Sequence, residues 1–214
     1  NQTDGSTQVY YWDNLTQVNL AVTSDPVFLP VDFENANAVY DVIGFEGADS
    51  EVEANAVPSG INTSATVVRT IKTVGSQFYA GTALGLDAPI DFSVSEKITI
   101  KTYSPKANIP VRLKLENANG SQFVELDVNT TVENEWEELT WDLTGQTAGI
   151  DFTKVVVFFE FIVDLAGDGS TYYFDDIAVF TPPADNDTCG TAITVACGDT
   201  VVSDTLTNTD TGGN

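Results

Sequence analysis

Val111-Arg112-Leu113-Lys114-Leu115-Glu116 and Phe123-Val124-Glu125-Leu126-Asp127-Val128 each alternate polar and apolar residues, and Asn117-Ala118-Asn119-Gly120 stands between them. A period of two is the signature of a strand with one face in a core, and the Asn/Gly-rich turn marks an antiparallel hairpin. Val111, Leu113 and Leu115, with Val124, Leu126 and Val128, read inward. Arg112, Lys114, Glu116, Phe123, Glu125 and Asp127 read outward. Working outward from this hairpin, similar runs follow at Thr66–Thr73, Lys97–Ser104, Trp136–Leu143, Val155–Val163 and Tyr172–Phe180, punctuated by Gly, Asn, Asp and Pro about every ten residues. Val155 to Ile162 is apolar on both faces apart from Glu160, which predicts a central, covered strand. Nothing keeps an apolar 3.6-residue period over three turns. The fold class expected is all-β: a two-sheet antiparallel β-sandwich of jelly-roll type over residues 25–181, with extra strand segments at both ends.

The chain has 214 residues, with 32 acidic and 8 basic side chains and a net charge of −24. Such a surface repels a phosphate backbone, which excludes nucleic acid as a partner. Histidine is absent, which removes Ser-His-Asp and Cys-His nucleophile systems, His-ligated zinc and the imidazole proton shuttle. Apolar residues at 42% supply a core. No run of 18 apolar residues occurs, so no membrane insertion is expected. Abundant carboxylates without histidine favour a hard, oxygen-liganded cation such as calcium.

The ends suggest neighbouring modules. Gly5-Ser6-Thr7 followed by Tyr10-Tyr11-Trp12-Asp13-Asn14-Leu15 matches Gly169-Ser170-Thr171 followed by Tyr172-Tyr173-Phe174-Asp175-Asp176-Ile177. Residues 1–24 are therefore read as the last strand of a preceding similar module. Residues 182–187, Pro-rich then polar, read as a linker. Residues 188–214 read as the truncated start of a further β-module, in which Cys189 and Cys197 form a local disulfide or remain a reduced pair. The start at Asn1-Gln2-Thr3 and the lack of methionine suggest a piece of a longer polypeptide.

The residues permit three kinds of chemistry. Catalysis by paired carboxylates would need a motif that Glu125-Leu126-Asp127-Val128-Asn129 begins and does not complete. A metal site would form if Asp32-Phe33-Glu34 on the first body strand met Asp175-Asp176 on the last, since a jelly roll brings these strands together. Solvated strand ends are the alternative. The outward set carries the third. Five of the eight basic residues (Lys97, Lys101, Lys106, Arg112, Lys114) fall within 18 positions. Either Arg112 and Lys114 form a cross-strand ladder with Glu125 and Asp127, or they meet an acidic ligand in a groove beside Tyr103 or Trp136 as stacking platform. Glu116, Tyr79 and Arg69 are further candidates, and Glu160, polar within an apolar run, requires a partner.

The order and spacing of Leu29-Pro30-Val31-Asp32-Phe33-Glu34, Val57 to Ser64, Val111 to Asn117, Glu135 to Asp142 and Tyr172 to Ile177 resemble the galactose-binding-domain-like jelly-roll carbohydrate-binding modules, nearest to the calcium-containing kind in families 4, 16 and 22. The resemblance covers residues 27–180. It implies a structural calcium held by Glu34 and Asp176, with Asp32 and Asp175 as second choices. It also implies a non-catalytic module that binds polysaccharide (an acidic or algal one among the candidates) on one sheet face, for which alternation offers Lys101, Tyr103, Arg112, Lys114, Glu116 and Trp136, with Tyr79 and Arg69 as further candidates on strands whose facing alternation does not fix. Such modules are expected in monomeric, multimodular, extracellular or cell-surface proteins of Bacteroidota, where they target an attached enzyme or anchor. A structural or adhesive spacer of a surface protein is the alternative reading, and a glycosidase or lyase jelly roll the third.

Overall fold

A computed structural model describes residues 24–182. It holds ten strands: β1 (Val42–Phe45), β2 (Ala48–Ala54), β3 (Thr66–Lys72), β4 (Gly81–Gly85), β5 (Lys97–Ser104), β6 (Pro110–Asn117), β7 (Phe123–Asn129), β8 (Glu135–Asp142), β9 (Phe152–Phe159) and β10 (Thr171–Val179). They form two five-stranded antiparallel sheets, ordered β1-β4-β9-β6-β7 and β2-β3-β10-β5-β8. No helix forms among the described residues. The chain is the jelly-roll β-sandwich expected from the periodicity. The readings made for the two ends fall on residues 1–23 and 183–214, outside the described residues.

The β6–β7 hairpin forms as expected, and its register places Arg112 opposite Asp127 and Lys114 opposite Glu125. Its turn closes with Gly120 donating to the Asn117 carbonyl, and Gly120 takes φ 70°, a left-handed value that glycine adopts without a Cβ penalty. Inward residues of both sheets meet in one core. Val111, Leu113, Leu115, Ile98, Ile100, Trp141, Leu143, Tyr172 and Phe174 are all buried. Each large apolar side chain taken fully from water contributes about 1.5–3 kcal/mol.

Strand β9 is central, between β4 and β6, and buries Val155, Val157 and Phe159 toward the core with Val156 and Phe158 on the other face. It ends earlier than its composition suggests. Glu160 takes φ 50° and the chain turns away there, so Phe161 to Val163 lie in the following loop.

Three strands escape the periodicity. β1 has only four residues and β4 carries glycine at both ends. β2 carries Asp49, Glu51 and Glu53 on one face, the first two exposed, and only Ala48, Ser50, Val52 and Ala54 on the other, which in sequence reads as an acidic cluster.

Candidate functional site

The outer face of the β1-β4-β9-β6-β7 sheet is open and carries a cleft of about 480 Å³, within the range of small-ligand sites, roughly 300–1,000 Å³. Strand pairing arranges its side chains in rows running across the sheet. One row is Ile43, Ala83, Val156, Lys114 and Glu125. The next is Phe45, Gly81, Phe158, Arg112 and Asp127. A third joins Gly85, Lys154, Glu116 and Phe123. All members of a row share one side of the pleat; the first two rows start apolar and become charged toward β7, whereas the third carries its charges on β9 and β6 and ends on Phe123. Gly81 is required where it stands, since a Cβ there would collide with the Phe158 ring.

The aromatic end is continuous. Phe45 meets Phe158 edge-on at 5.7 Å between ring centroids, Phe158 meets Phe161 at 5.4 Å, Phe161 meets Phe78 at 5.4 Å and Phe78 meets Tyr79 at 5.0 Å. Tyr79 is 38% exposed. The guanidinium of Arg112 lies 3.8 Å above the Phe161 ring, and the Lys114 ammonium 4.3 Å above Phe123.

The polar end is a closed set of ion pairs. Arg112 grips Asp127 through Nε (2.7 Å) and Nη2 (2.9 Å) and reaches Glu125 at 3.1 Å. Lys114 (2.8 Å) and Lys154 (3.1 Å) share Glu116. Burial works to raise the Glu116 carboxyl, but the hydrogen bonds from the two lysines outweigh it and hold it below the usual carboxylate range. The cross-strand ladder is thus present, and it lines the cleft. Three cations face three carboxylates, so the charges balance.

Arg112, Lys114, Glu116 and Tyr79 sit together here. The other four expected binding residues do not. Lys101, Tyr103, Trp136 and Arg69 belong to the second sheet. Arg69 is held by Glu51, Glu53 and Asp49 of β2. Trp136 points outward, as alternation requires, yet is 6% exposed because the segment at Val57 covers it, and its indole N–H donates to the Val57 carbonyl at 2.8 Å. It packs with Tyr103 and Tyr173 at 5.7 and 6.5 Å. Trp136 therefore offers no free ring face to solvent, and the aromatic rings that line the cleft are Phe45, Phe158, Phe161 and Tyr79. The sequence reading missed Phe45, Phe158, Phe161 and Lys154. Their one visible signal was the double-faced apolarity of the β9 run, whose outward Val156 and Phe158 floor the cleft.

The two acidic stretches do meet. Val31 and Ile177 exchange backbone hydrogen bonds at 2.9 Å, and the Glu34 carboxylate accepts from the Thr66 N–H (2.7 Å) and hydroxyl (2.9 Å). Burial pushes the Tyr40 phenol up, and the charges of Asp32, Glu34 and Asp175 add to that. Of the Asp-Asp pair, Asp175 is the buried one. It accepts from Asn62 Nδ2 (2.9 Å) and the Asp176 N–H (2.8 Å), and burial nonetheless pushes its carboxyl up to about 6. Asp176 instead pairs with Lys101 at 2.5 Å. A register shift between Asp175 and Ala178, with φ 49° at Asp176, turns the pair over relative to simple alternation. Among the described residues, no group of three acidic or cysteine side chains is arranged as a metal cage.

No protein-family model matches the chain, and no curated protein matches its sequence. Among solved structures it is similar to part of an exo-beta-agarase, with 14% identity and a TM-score of 0.53 over 74% of this chain and 25% of that one. The chain thus spans a quarter of the agarase. It is also similar to the family 11 carbohydrate-binding module of the cellulosomal cellulase Lic26A-Cel5E of Clostridium thermocellum, with 15% identity and a TM-score of 0.47 over 75% of this chain and 98% of that one. A third likeness is to TmCBM61, solved with beta-1,4-galactotriose, with 15% identity and a TM-score of 0.45 over 74% of this chain and 100% of that one. At these identities the likeness is one of fold.

Proposed function

We propose that the chain is a non-catalytic polysaccharide-binding module and that the cleft on the β1-β4-β9-β6-β7 sheet is its glycan site. The observation that carries this is the row pattern: an aromatic and apolar floor of Phe45, Val156, Phe158 and Phe161 beside a rigid set of hydrogen-bonding groups. A sugar ring has a C–H face for the first and hydroxyls for the second. The balanced charges favour an uncharged glycan over an acidic one. Binding a carboxylate or sulfate would mean breaking the bidentate Arg112–Asp127 pair, against a net charge of −24. Catalysis is disfavoured by the same pairing, because a glycosidase acid must hold a proton at neutral pH and Glu116 is held ionised. In a secreted, multimodular protein such a module would hold a neighbouring enzyme or anchor on its polymer, with tandem copies multiplying weak single-site affinity.

The test is affinity electrophoresis and calorimetry of the full chain against mixed-linkage β-glucan, β-1,4-galactan and agarose, with alginate and carrageenan as anionic counterparts. Retardation by at least one uncharged polymer, none by the anionic ones and no release of reducing sugar is the expected result. Failure to bind any of them overturns the reading and leaves a β-sandwich spacer.

We propose as well that a structural calcium sits where the segment around Val31, bridged to Ile177, meets β10. A buried carboxylate pushed upward by burial gains from a cation, and the charges of Asp32, Glu34 and Asp175 all act on the Tyr40 phenol. Asp175 and Glu34 would hold the ion, with Asp32 near; Asp176, engaged by Lys101, changes place with Asp175 as the preferred ligand. Backbone and hydroxyl oxygens would supply the rest of the shell, as calcium allows. A ligand at 100 times its Kd adds about 2.7 kcal/mol to unfolding. Millimolar calcium is therefore expected to raise the Tm over that in EDTA, and Asp175→Asn and Glu34→Gln to abolish the difference. An identical Tm in calcium and EDTA for the unaltered chain would remove calcium from the account.

A further inference from the structure

The Lys72 side chain lies outside the cleft and is buried, 1% exposed. Its ammonium donates to three carbonyls: Phe78 (3.0 Å), Phe159 (3.2 Å) and Glu160 (2.7 Å). Two of these carbonyls belong to the peptide bonds that lead directly into Tyr79 and Phe161, the rings that close the aromatic end of the cleft. A lysine at the end of a strand ordinarily keeps its ammonium in water. This one is withdrawn, and burial pushes it below the ordinary lysine value.

From this arrangement we infer that Lys72 is the positioning residue of the cleft, a single cation that fixes the β3–β4 and β9–β10 connections against each other and so sets the separation of Tyr79 and Phe161. The inference rests on the cleft being the ligand site. All three donors of the ammonium are used on carbonyls, so its charge is spread over both connections rather than spent on one carboxylate. The backbone supports the same junction. Gly75 donates to the Gly167 carbonyl at 2.8 Å, and Gly167 to the Ser76 carbonyl at 3.0 Å. A Cβ at Gly167 would strike Ser76 and the Thr73 carbonyl, so the two connections approach as closely as a backbone allows. Phe161 is further held by its N–H on the Pro110 carbonyl at 3.1 Å and by Arg112 over its ring. Tyr79 has the Phe78 ring and the carbonyl held by Lys72.

Hydrogen exchange of the free full chain tests the positioning directly, without a ligand. Lys72→Met is expected to speed amide exchange about tenfold in residues 73–80 and 160–169, as local opening does, and to leave β5–β8 unchanged. Lys72→Gln, which keeps a shorter donor, is expected to fall between. Tyr172→Phe, which removes a bond to the Glu160 carboxylate and touches no loop carbonyl, is expected to leave both segments as they were. Where the unaltered chain binds mixed-linkage β-glucan, Lys72→Met is expected to weaken binding about tenfold, or 1.4 kcal/mol. Unchanged exchange in the two segments overturns the inference. So does faster exchange throughout, or failure of both Lys72 variants to fold, because the cation would then support the sandwich as a whole. If the unaltered chain binds no glycan, the functional reading falls while the exchange result still decides the role of Lys72.

Discussion

Replacement of Glu160 by alanine is expected to lower the unfolding free energy by about 1–3 kcal/mol, the cost of leaving a buried polar group without its partner. Glu160 is 5% exposed and binds the Lys106 ammonium at 2.6 Å and the Tyr172 hydroxyl at 3.2 Å. Burial pushes the Tyr172 phenol up, and the Glu160 carboxylate pushes it further. The carboxylate also lies close enough to Lys72 to favour its charged form against burial. Alanine therefore leaves the buried Tyr172 phenol without its acceptor and takes a negative charge away from Lys72, while Lys106, 30% exposed, keeps Asp168 at 2.9 Å. Glutamine keeps an acceptor for Tyr172 and loses only the charge, so it is expected to cost less than alanine. Chemical denaturation of the two variants checks this; a loss under 1 kcal/mol for alanine would mean that water or another side chain replaces the carboxylate.

The second large effect is on binding. Phe161→Ala is expected to weaken affinity for whichever uncharged glycan binds by at least about tenfold, close to 1.4 kcal/mol, with little change in stability. It removes a stacking face, and it also removes the surface on which the Arg112 guanidinium rests at 3.8 Å. Trp136→Ala is expected to do the opposite. Removal of a buried tryptophan costs about 3–5 kcal/mol, and the cleft on the other sheet keeps its affinity. Calorimetry paired with denaturation on both variants separates the two faces. Loss of affinity in Trp136→Ala with Phe161→Ala unaffected would move the site to the β2-β3-β10-β5-β8 sheet.

Period-two alternation was enough to determine much of this molecule from its sequence. It fixed seven of the strands, the β6–β7 hairpin, and the inward and outward sets of β5 and β6, while the register of that hairpin stayed open between two pairings. Alternation is local: a residue's face follows from its neighbours two positions away, so no tertiary information is needed. The need of Glu160 for a partner was legible for a related reason, since a charge inside an apolar run must be satisfied wherever the run ends.

Which outward faces share a surface is not a local property, and there the tertiary structure decided. Tyr103 and Trp136 point outward as truly as Arg112 and Lys114 do, but strand order puts β5 and β8 in one sheet and β6 in the other. Sheet order is set by long-range pairing that alternation does not encode. Trp136 is withdrawn from solvent by a segment some 80 positions earlier (136 against 57), and no pattern around it announces that. The exchange of Asp175 for Asp176 follows from one bulge. Its trace was in the sequence, where the inward apolar positions pass from Tyr172 and Phe174 to Ile177 and Val179, a change of parity that only an inserted residue allows. The aromatic end of the cleft needed the fold most, because Phe45, Tyr79, Phe158 and Phe161 come from three separate stretches of chain, brought together only when β1, β4 and β9 pair and a buried lysine ties the connections that follow β3 and β9.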